Sequence, residues 1–287
     1  MTNGLILALL ASLVHATADA AKKALTRRLD ALDALTGYVL LGLPISALLW
    51  WAGGLEGLPR PGFLFYAALS IVPNLLANAL FFEAVRISPL SLTLPFLALT
   101  PAFLVGTSWL INHELPSAVG SLGIVAVLTG AFLLHARELR HGMGGPLRAI
   151  VRERGSLLMV VVALLWSATA AADKAAVLRS GPVAYLVLWH VGMSAPLLLL
   201  ALVRRRMGLV LAQTPPIGGA AALHVAGSTL QMSALPLLPA AYVIAIKRAG
   251  MAVGIFYGWL FFGETEIRQR LLGAAVMLLG VLCVTLA

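Results

Sequence analysis

Long apolar runs separated by short polar breaks set the pattern of the chain. Ten such runs can be drawn, each bounded by charge, proline or glycine: roughly residues 3–25, 33–53, 61–85, 89–111, 116–136, 156–178, 182–203, 216–236, 239–262 and 268–286. Each is near the length of about 20 residues that an α-helix needs to cross the hydrocarbon core of a bilayer. Most connections are very short. The exception is the Arg- and Gly-rich stretch 137–155, the natural linker between residues 1–136 and 156–287. The pattern predicts an all-α integral membrane protein of ten transmembrane helices, five on each side of the linker.

The two halves repeat. At an offset of 150, Pro89 falls on Pro239, Glu114 on Glu264, Gly123 on Gly273 and Gly130 on Gly280. Ala16-Thr17-Ala18 with Lys22 recurs, at an offset of 152, as Ala168-Thr169-Ala170 with Lys174. The first twenty residues could be read as a signal peptide ending at Ala18-Asp19-Ala20. They lack a basic leading region and belong to the repeat, so they read as the first helix. Five helices is an odd number, so two such repeats in one chain must run in opposite orientations across the membrane.

Composition agrees with this reading. Of 287 residues, 61% are hydrophobic and 11% charged, with a mean hydropathy of +0.98, where a soluble domain carries about 25% charged residues. The net charge of +9 reads as basic loops facing cytoplasm and anionic lipid rather than as a nucleic-acid surface. Arg27, Arg28, Arg86, Arg137, Arg140, Arg148, Arg152, Arg154, Arg204, Arg205, Arg206, Arg268 and Arg270 would share one side, and only Arg60 and Arg179 the other. The positive-inside rule places the first set, and the linker, in the cytoplasm and both termini outside. Cys283 is the only cysteine, which excludes an internal disulfide and argues against a cysteine metal site. Neither a phosphate-binding loop of the Walker type nor an HExxH or GxSxG motif occurs. ATP is thus not the expected energy source, and no cofactor or metal is expected.

Polar residues at membrane depth carry the candidate chemistry, because each is costly there. Lys247 and Arg248 sit near the middle of 239–262, where the first repeat has Leu97 and Ala98. They form either a structural ion pair with buried acids or carbonyls, or an anion site, or a switch that pairs differently in two states. The Arg248 fork suits a carboxylate or phosphate. Neighbours on a helix point about 100° apart, so one of the two is expected to face a cavity fully. His15, Asp19 and Lys22 or Lys23 share a face of the first helix. Asp19 is the one acid placed well inside a span. It is the natural counter-charge for the basic pair and, with His15, a candidate proton relay. Asn74 and Asn78 form an i, i+4 pair after Pro73, suited to interhelical hydrogen bonding or to lining a polar cavity. Trp166, Tyr242, His190, His224 and Gln231 are weaker candidates. Glu83 and Arg86 read as an interfacial pair, Asp173-Lys174 as a pair near a helix end that reaches water, and Glu114 and Glu264 as turn-closing residues. Gly120, Gly123, Gly130, Gly273 and Gly280 mark the fifth and tenth helices as close-packed structural elements.

Together, the segment from Pro239 to Gly263-Glu264, its counterpart ending His113-Glu114, the glycine helices after each, and the echo ending in Lys22 and Lys174 resemble the drug/metabolite transporter superfamily, EamA type, with two EamA repeats covering nearly the whole chain. The resemblance implies a central cavity lined by helices one to four and six to nine, with five and ten at the periphery. It also implies export of metabolites, amino acids or drugs. Ten-helix relatives are drawn with both termini in the cytoplasm, whereas the loop charges here place them outside.

The expected function is that of a secondary active or facilitative transporter of a small polar or amphipathic metabolite in the cytoplasmic membrane, working by alternating access. Its partners would be the substrate, lipid and protons as a candidate coupling ion. The alternatives are a non-transporting membrane sensor or assembly factor, or an intramembrane lipid-modifying enzyme.

Overall fold

The computed structural model describes residues 2–55, 57, 59–89, 93–133, 153–248, 250–262 and 267–286. Most of the linker, Gly263 and Glu264 lie outside the described residues. The described chain is helical, with no strand in it. In order it forms α1 (Thr2–Leu25), α2 (Ala31–Ala52), α3 (Phe63–Ile87), a 3-10 turn (Leu94–Ala98), α4 (Leu99–Asn112), α5 (Ala118–Leu133), α6 (Arg154–Ser180), α7 (Pro182–Val203), a short α8 (Met207–Ala212), α9 (Thr214–Ala234), α10 (Ala240–Arg248), α11 (Gly250–Phe262) and α12 (Ile267–Thr285). Five of these, α1, α2, α3, α6 and α7, are long and apolar enough by themselves to cross a bilayer.

One expected span is irregular. In the run 89–111 the described residues form a 3-10 turn followed by α4, while in 239–262 the described residues on both sides of position 249 are helical. In the first repeat the cause is proline: Pro95 opens the 3-10 turn, and Pro101 lies in the first turn of α4, where its missing N–H leaves no bond unmade. In the second, the Ser12 hydroxyl of α1 donates to the Lys247 carbonyl at 3.1 Å. Gly250 lets α1 come close there, since a Cβ would lie 2.4 Å from the Ser12 carbonyl oxygen.

Local chemistry sets the other boundaries. Asp30 caps α2, accepting from the Asp33 N–H at 2.9 Å. Glu153 caps α6, accepting from the N–H groups of Gly155 and Ser156. Gly181, at φ +80°, turns α6 directly into α7, with Pro182 in the first position of the new helix.

Packing relates the repeats reciprocally. The first helix of one repeat lies against the third of the other: α1 on α9, and α6 on α3. Equivalent helices α2 and α7 pair, as do α5 and α12. α6 also packs on α4, as α1 does on α10 and α11. Such exchange is what a pseudo-two-fold relation requires. The α5–α12 seam is close because both helices carry glycine. A Cβ at Gly130 would lie 2.6 Å from the Gly273 carbonyl oxygen, and one at Gly280 2.6 Å from that of Gly123.

The faces are reversed relative to a soluble protein. On α3, Ser70, Asn74 and Asn78 are buried, while Val72 is 70% and Leu76 53% exposed. Exposed leucine, valine and phenylalanine with buried asparagine is the arrangement that lipid selects.

The loop charges segregate. At one end Arg206 pairs with Asp33 at 2.8 Å and Asp30 at 3.1 Å, Glu83 with Arg86 at 2.7 Å, and the Ser88 hydroxyl donates to Glu153. At the opposite end of α3 and α6 the Arg60 N–H donates to the Arg179 carbonyl at 2.9 Å, and the Arg179 guanidinium lies 4.3 Å from the Tyr66 ring centre.

Candidate functional site

A polar cavity of about 80 Å³ lies among α1, α3, α4, α6, α7, α9 and α10. α1 gives it His15, Asp19 and Lys22; α3 gives Asn74 and Asn78; α4 gives Thr100; α6 gives Trp166, Thr169 and Asp173. α7 adds Trp189, α9 adds His224, Ser228 and Gln231, and α10 adds Lys247 and Arg248. The volume holds a few waters and is well below the ~300–1,000 Å³ of a typical small-molecule site. The helices must part before a metabolite enters.

Both basic residues line the cavity, although one alone was expected to face it. Among the described residues their hydrogen-bond partners are neutral. Lys247 Nζ donates to Gln231 Oε1 at 2.6 Å, and Arg248 Nη2 donates to Thr100 Oγ1 at 2.9 Å. The Arg248 guanidinium carbon lies 5.9 Å from the Trp166 ring centre, and among the described residues the buried Nε has no hydrogen-bond partner. Thr100 follows the 3-10 turn of the first repeat, so the Arg248–Thr100 bond joins the two repeats.

Asp19 lines the same cavity, and its charge acts on both Lys247 and Arg248 through space. Its direct ion-pair partner is Lys22, one turn along α1, at 3.2 Å. The i, i+3 neighbour is always within reach. The Lys22 ammonium also lies 5.0 Å from the Tyr38 ring centre and 5.2 Å from that of Phe81. Lys23 turns away to the carbonyls of Val85 and Ser88.

Asp173 and Lys174 were expected to reach water near a helix end. Both are buried, because α6 continues to Ser180 and places them a full turn and more from its end. Asp173 lines the cavity, accepting hydrogen bonds from the Ser70 and Tyr185 hydroxyls. Lys174 pairs with Glu114 and donates to the Leu238 carbonyl at 2.7 Å. Glu114 also accepts from the Ala240 N–H at 3.2 Å, so it closes its turn and caps α10. Tyr242 is placed away from the cavity, where its hydroxyl accepts from the Ser117 N–H at 2.9 Å. The room its ring needs comes from Gly120, whose Cβ would lie 2.2 Å from the Tyr242 oxygen.

Asn74 and Asn78 serve both readings made of them. The Asn78 amide donates to the Asn74 carbonyl at 2.9 Å and the Asn74 amide to Ser70 Oγ at 3.1 Å, while both line the cavity. His15 Nδ1 is 2.9 Å from the Ala11 carbonyl, which only accepts, so Nδ1 carries hydrogen and the neutral ring leaves Nε2 to accept. His15 is edge-on to His224 at 6.1 Å. His190 lies behind, 5.9 Å from His224. Among the described residues no cluster of acids, histidines or cysteine is arranged to hold a metal ion.

Asp173, Lys22, Thr100, Trp189 and Ser228 were missed as site residues in the sequence. Trp166, Thr169 and Asp173 follow one another at helical spacing, so extending the face from Trp166 would have found Asp173. Nothing local marks Thr100.

No curated protein matches the chain. One crystal structure shares its fold with a TM-score of 0.68 at 14% sequence identity, over 99% of this chain and 97% of the other. The EamA-like transporter family matches residues 2–136 and again 153–286. With two repeats, lipid-facing apolar helices and a polar cavity between them, the chain belongs to the EamA-like transporter family of the drug/metabolite transporter superfamily and is a multi-pass membrane transporter.

Proposed function

We propose that the protein carries a small organic anion or zwitterion across the cytoplasmic membrane by alternating access, with its negatively charged group held by Lys247 and Arg248. The observation that carries this reading is the partnering of the two: buried or half-buried cations whose hydrogen bonds go to an amide and a hydroxyl. A cation kept at membrane depth without an anion is costly, and a substrate carboxylate or phosphate would supply one. The cavity wall carries three bases, Lys22, Lys247 and Arg248, against two acids, Asp19 and Asp173, and Asp19 is taken by Lys22. Trp166 and Trp189 offer faces for an apolar or aromatic portion.

Ten spans in two inverted repeats suit this role. The 3-10 turn that precedes α4 brings Thr100 to the cavity. Exchange of α1–α9 and α6–α3 contacts between outward- and inward-facing states would open the cavity alternately. The arginine-rich end faces the cytoplasm and both termini face out. A flux screen in proteoliposomes tests the function: amino acids, organic anions and cationic drugs, each with and without a pH gradient. Anions or zwitterions should move; transport confined to cations would refute the reading. Cysteine labelling in intact cells tests the topology. Labelling from outside should reach residue 287 and not the linker, and the reverse result would overturn the orientation.

A further inference from the structure

Asp173 differs from the other paired acids of the bundle. Asp19, Asp33 and Glu114 each face a basic side chain, Lys22, Arg206 and Lys174 respectively. Among the described residues the hydrogen-bond partners of Asp173 are hydroxyls alone: Ser70 from α3 and Tyr185 from α7, both donating to Oδ1. Those two oxygens are also within hydrogen-bond distance of each other, 2.9 Å apart. Three oxygens from three helices therefore form a closed triangle, buried and bordering the cavity.

A triangle of this kind satisfies two protonation states. With Asp173 ionised, Ser70 and Tyr185 both point hydrogen at Oδ1. With Asp173 protonated, its O–H donates to Tyr185 Oη, and Tyr185 redirects its single hydrogen to Ser70 Oγ. The Asn74 amide donates to Ser70 Oγ at 3.1 Å in either case. Hydroxyls donate and accept, whereas an ammonium or guanidinium only donates. An acid held by hydroxyls can thus change charge without leaving a buried group unpaired, and an acid held by lysine or arginine cannot.

The charged and titratable surroundings complete the picture. α10 contributes Lys247 and Arg248, α1 contributes His15, Asp19 and Lys22, α9 contributes His224, and α7 contributes Tyr185 itself. α3 and α4 present only neutral Ser70, Asn74, Asn78 and Thr100. On α6, Lys174 is turned to Glu114. Of the cations, Lys247 is the one whose field reaches Asp173, and its hydrogen-bond partner is the neutral Gln231.

Resting on the transporter reading above, we propose that Asp173 is the proton-carrying residue of the transport cycle. The proton sits in the Asp173–Tyr185–Ser70 triangle in one state. In the other it is released to the cavity, leaving a carboxylate opposite Lys247. Because Lys247 also holds the substrate anion, the ionised acid competes with substrate for the same cation, and the protonated acid frees it. Proton and substrate occupancy are then linked through one side chain.

The test has two arms. In pH-difference infrared spectra of the purified protein in lipid, the wild type should show a carboxylic-acid C=O band that appears and disappears on titration. Asp173→Asn should abolish it, and Tyr185→Phe, which keeps the acid and removes one partner, should shift its frequency and its midpoint. In proteoliposomes, accumulation driven by a pH gradient should fall to no accumulation in Asp173→Asn, and any remaining flux should not respond to the gradient. Persistence of the band in Asp173→Asn, an unshifted band in Tyr185→Phe, or gradient-driven accumulation by folded Asp173→Asn would overturn the proposal. The infrared arm decides the proton site whether or not a substrate is found, so a wild type with the band but no flux counts against the transporter reading alone.

Discussion

Replacing Gly280 by alanine adds one methyl group to the seam between α5 and α12. Its Cβ would lie 2.6 Å from the Gly123 carbonyl oxygen, 2.7 Å from the Val127 nitrogen and 2.9 Å from Val127 Cγ2. Comfortable C···O contacts start near ~3.3 Å, so the helices must separate by roughly 0.7 Å. Two of the three obstacles are backbone atoms, which no change of rotamer can move aside. A gap of about that size forfeits a quarter to a half of each dispersion contact along the seam, and overpacking of this kind costs about 1–3 kcal/mol. At about 2–4 °C per kcal/mol, the melting temperature in detergent or lipid should fall by roughly 2–12 °C. Gly130→Ala should do the same, because its Cβ meets the Gly273 oxygen and the Met277 nitrogen at 2.6 and 2.7 Å. Gly106→Ala on α4 is the control: nothing lies within 4 Å of its Cβ, and stability should hold or rise. Among the described residues none of α5 or α12 lines the cavity, so substrate affinity of the folded variants should stay within about twofold of wild type. A large loss of affinity at an unchanged melting temperature would refute the reasoning and make the seam part of the site.

Glu114→Gln should destabilise by about 1–3 kcal/mol, less than a fully buried pair would lose because the Glu114 side chain is 26% exposed. The double variant with Lys174→Met should recover part of that in a thermal double-mutant cycle, and strict additivity would mean the pair is not coupled. Glu153 works at the opposite end. Its partial burial favours the neutral acid, but hydrogen bonds from Ser156, Ser88 and Gly155 outweigh that and hold its pKa below the usual 4.5. A depressed folded-state value contributes stability above the unfolded pKa that is lost as pH falls through the folded one. Wild type should therefore exceed Glu153→Gln in stability at neutral pH and converge with it in acid, as followed by melting temperature against pH; a gap that persists below that range would contradict the assignment.

Much of the fold was legible because lipid imposes a simple rule on sequence. Apolar runs, the offset between Pro89 and Pro239 and the glycines of α5 and α12 located the helices and the repeat. The 3-10 turn at Leu94–Ala98 was not anticipated, although Pro95 and Pro101 mark it in the sequence. Site residues at depth stood out by cost: Lys247, Arg248, Asp19, His15, Asn74, Asn78, Trp166 and Gln231 do meet at one cavity. Pairing was harder to read. Asp19 makes its ion pair within its own helix, with Lys22, and Asp173 looked superficial because its partners, Ser70 and Tyr185, stand on other helices. Tyr242 was misplaced because an aromatic residue two turns from a charged pair does not reveal which face of α10 it shares.

The account rests on Lys247 and Arg248 as the anchor for the negative group of the substrate. The most direct measurement is the initial rate of substrate flux into proteoliposomes for wild type and Lys247→Ala/Arg248→Ala, with melting temperatures recorded on the same samples. The double variant should fold, since removing both cations leaves only the neutral Gln231 and Thr100 as former partners, and its flux should fall at least about tenfold, the effect of some 1.4 kcal/mol of lost binding. A folded double variant that transports at the wild-type rate would contradict the central claim.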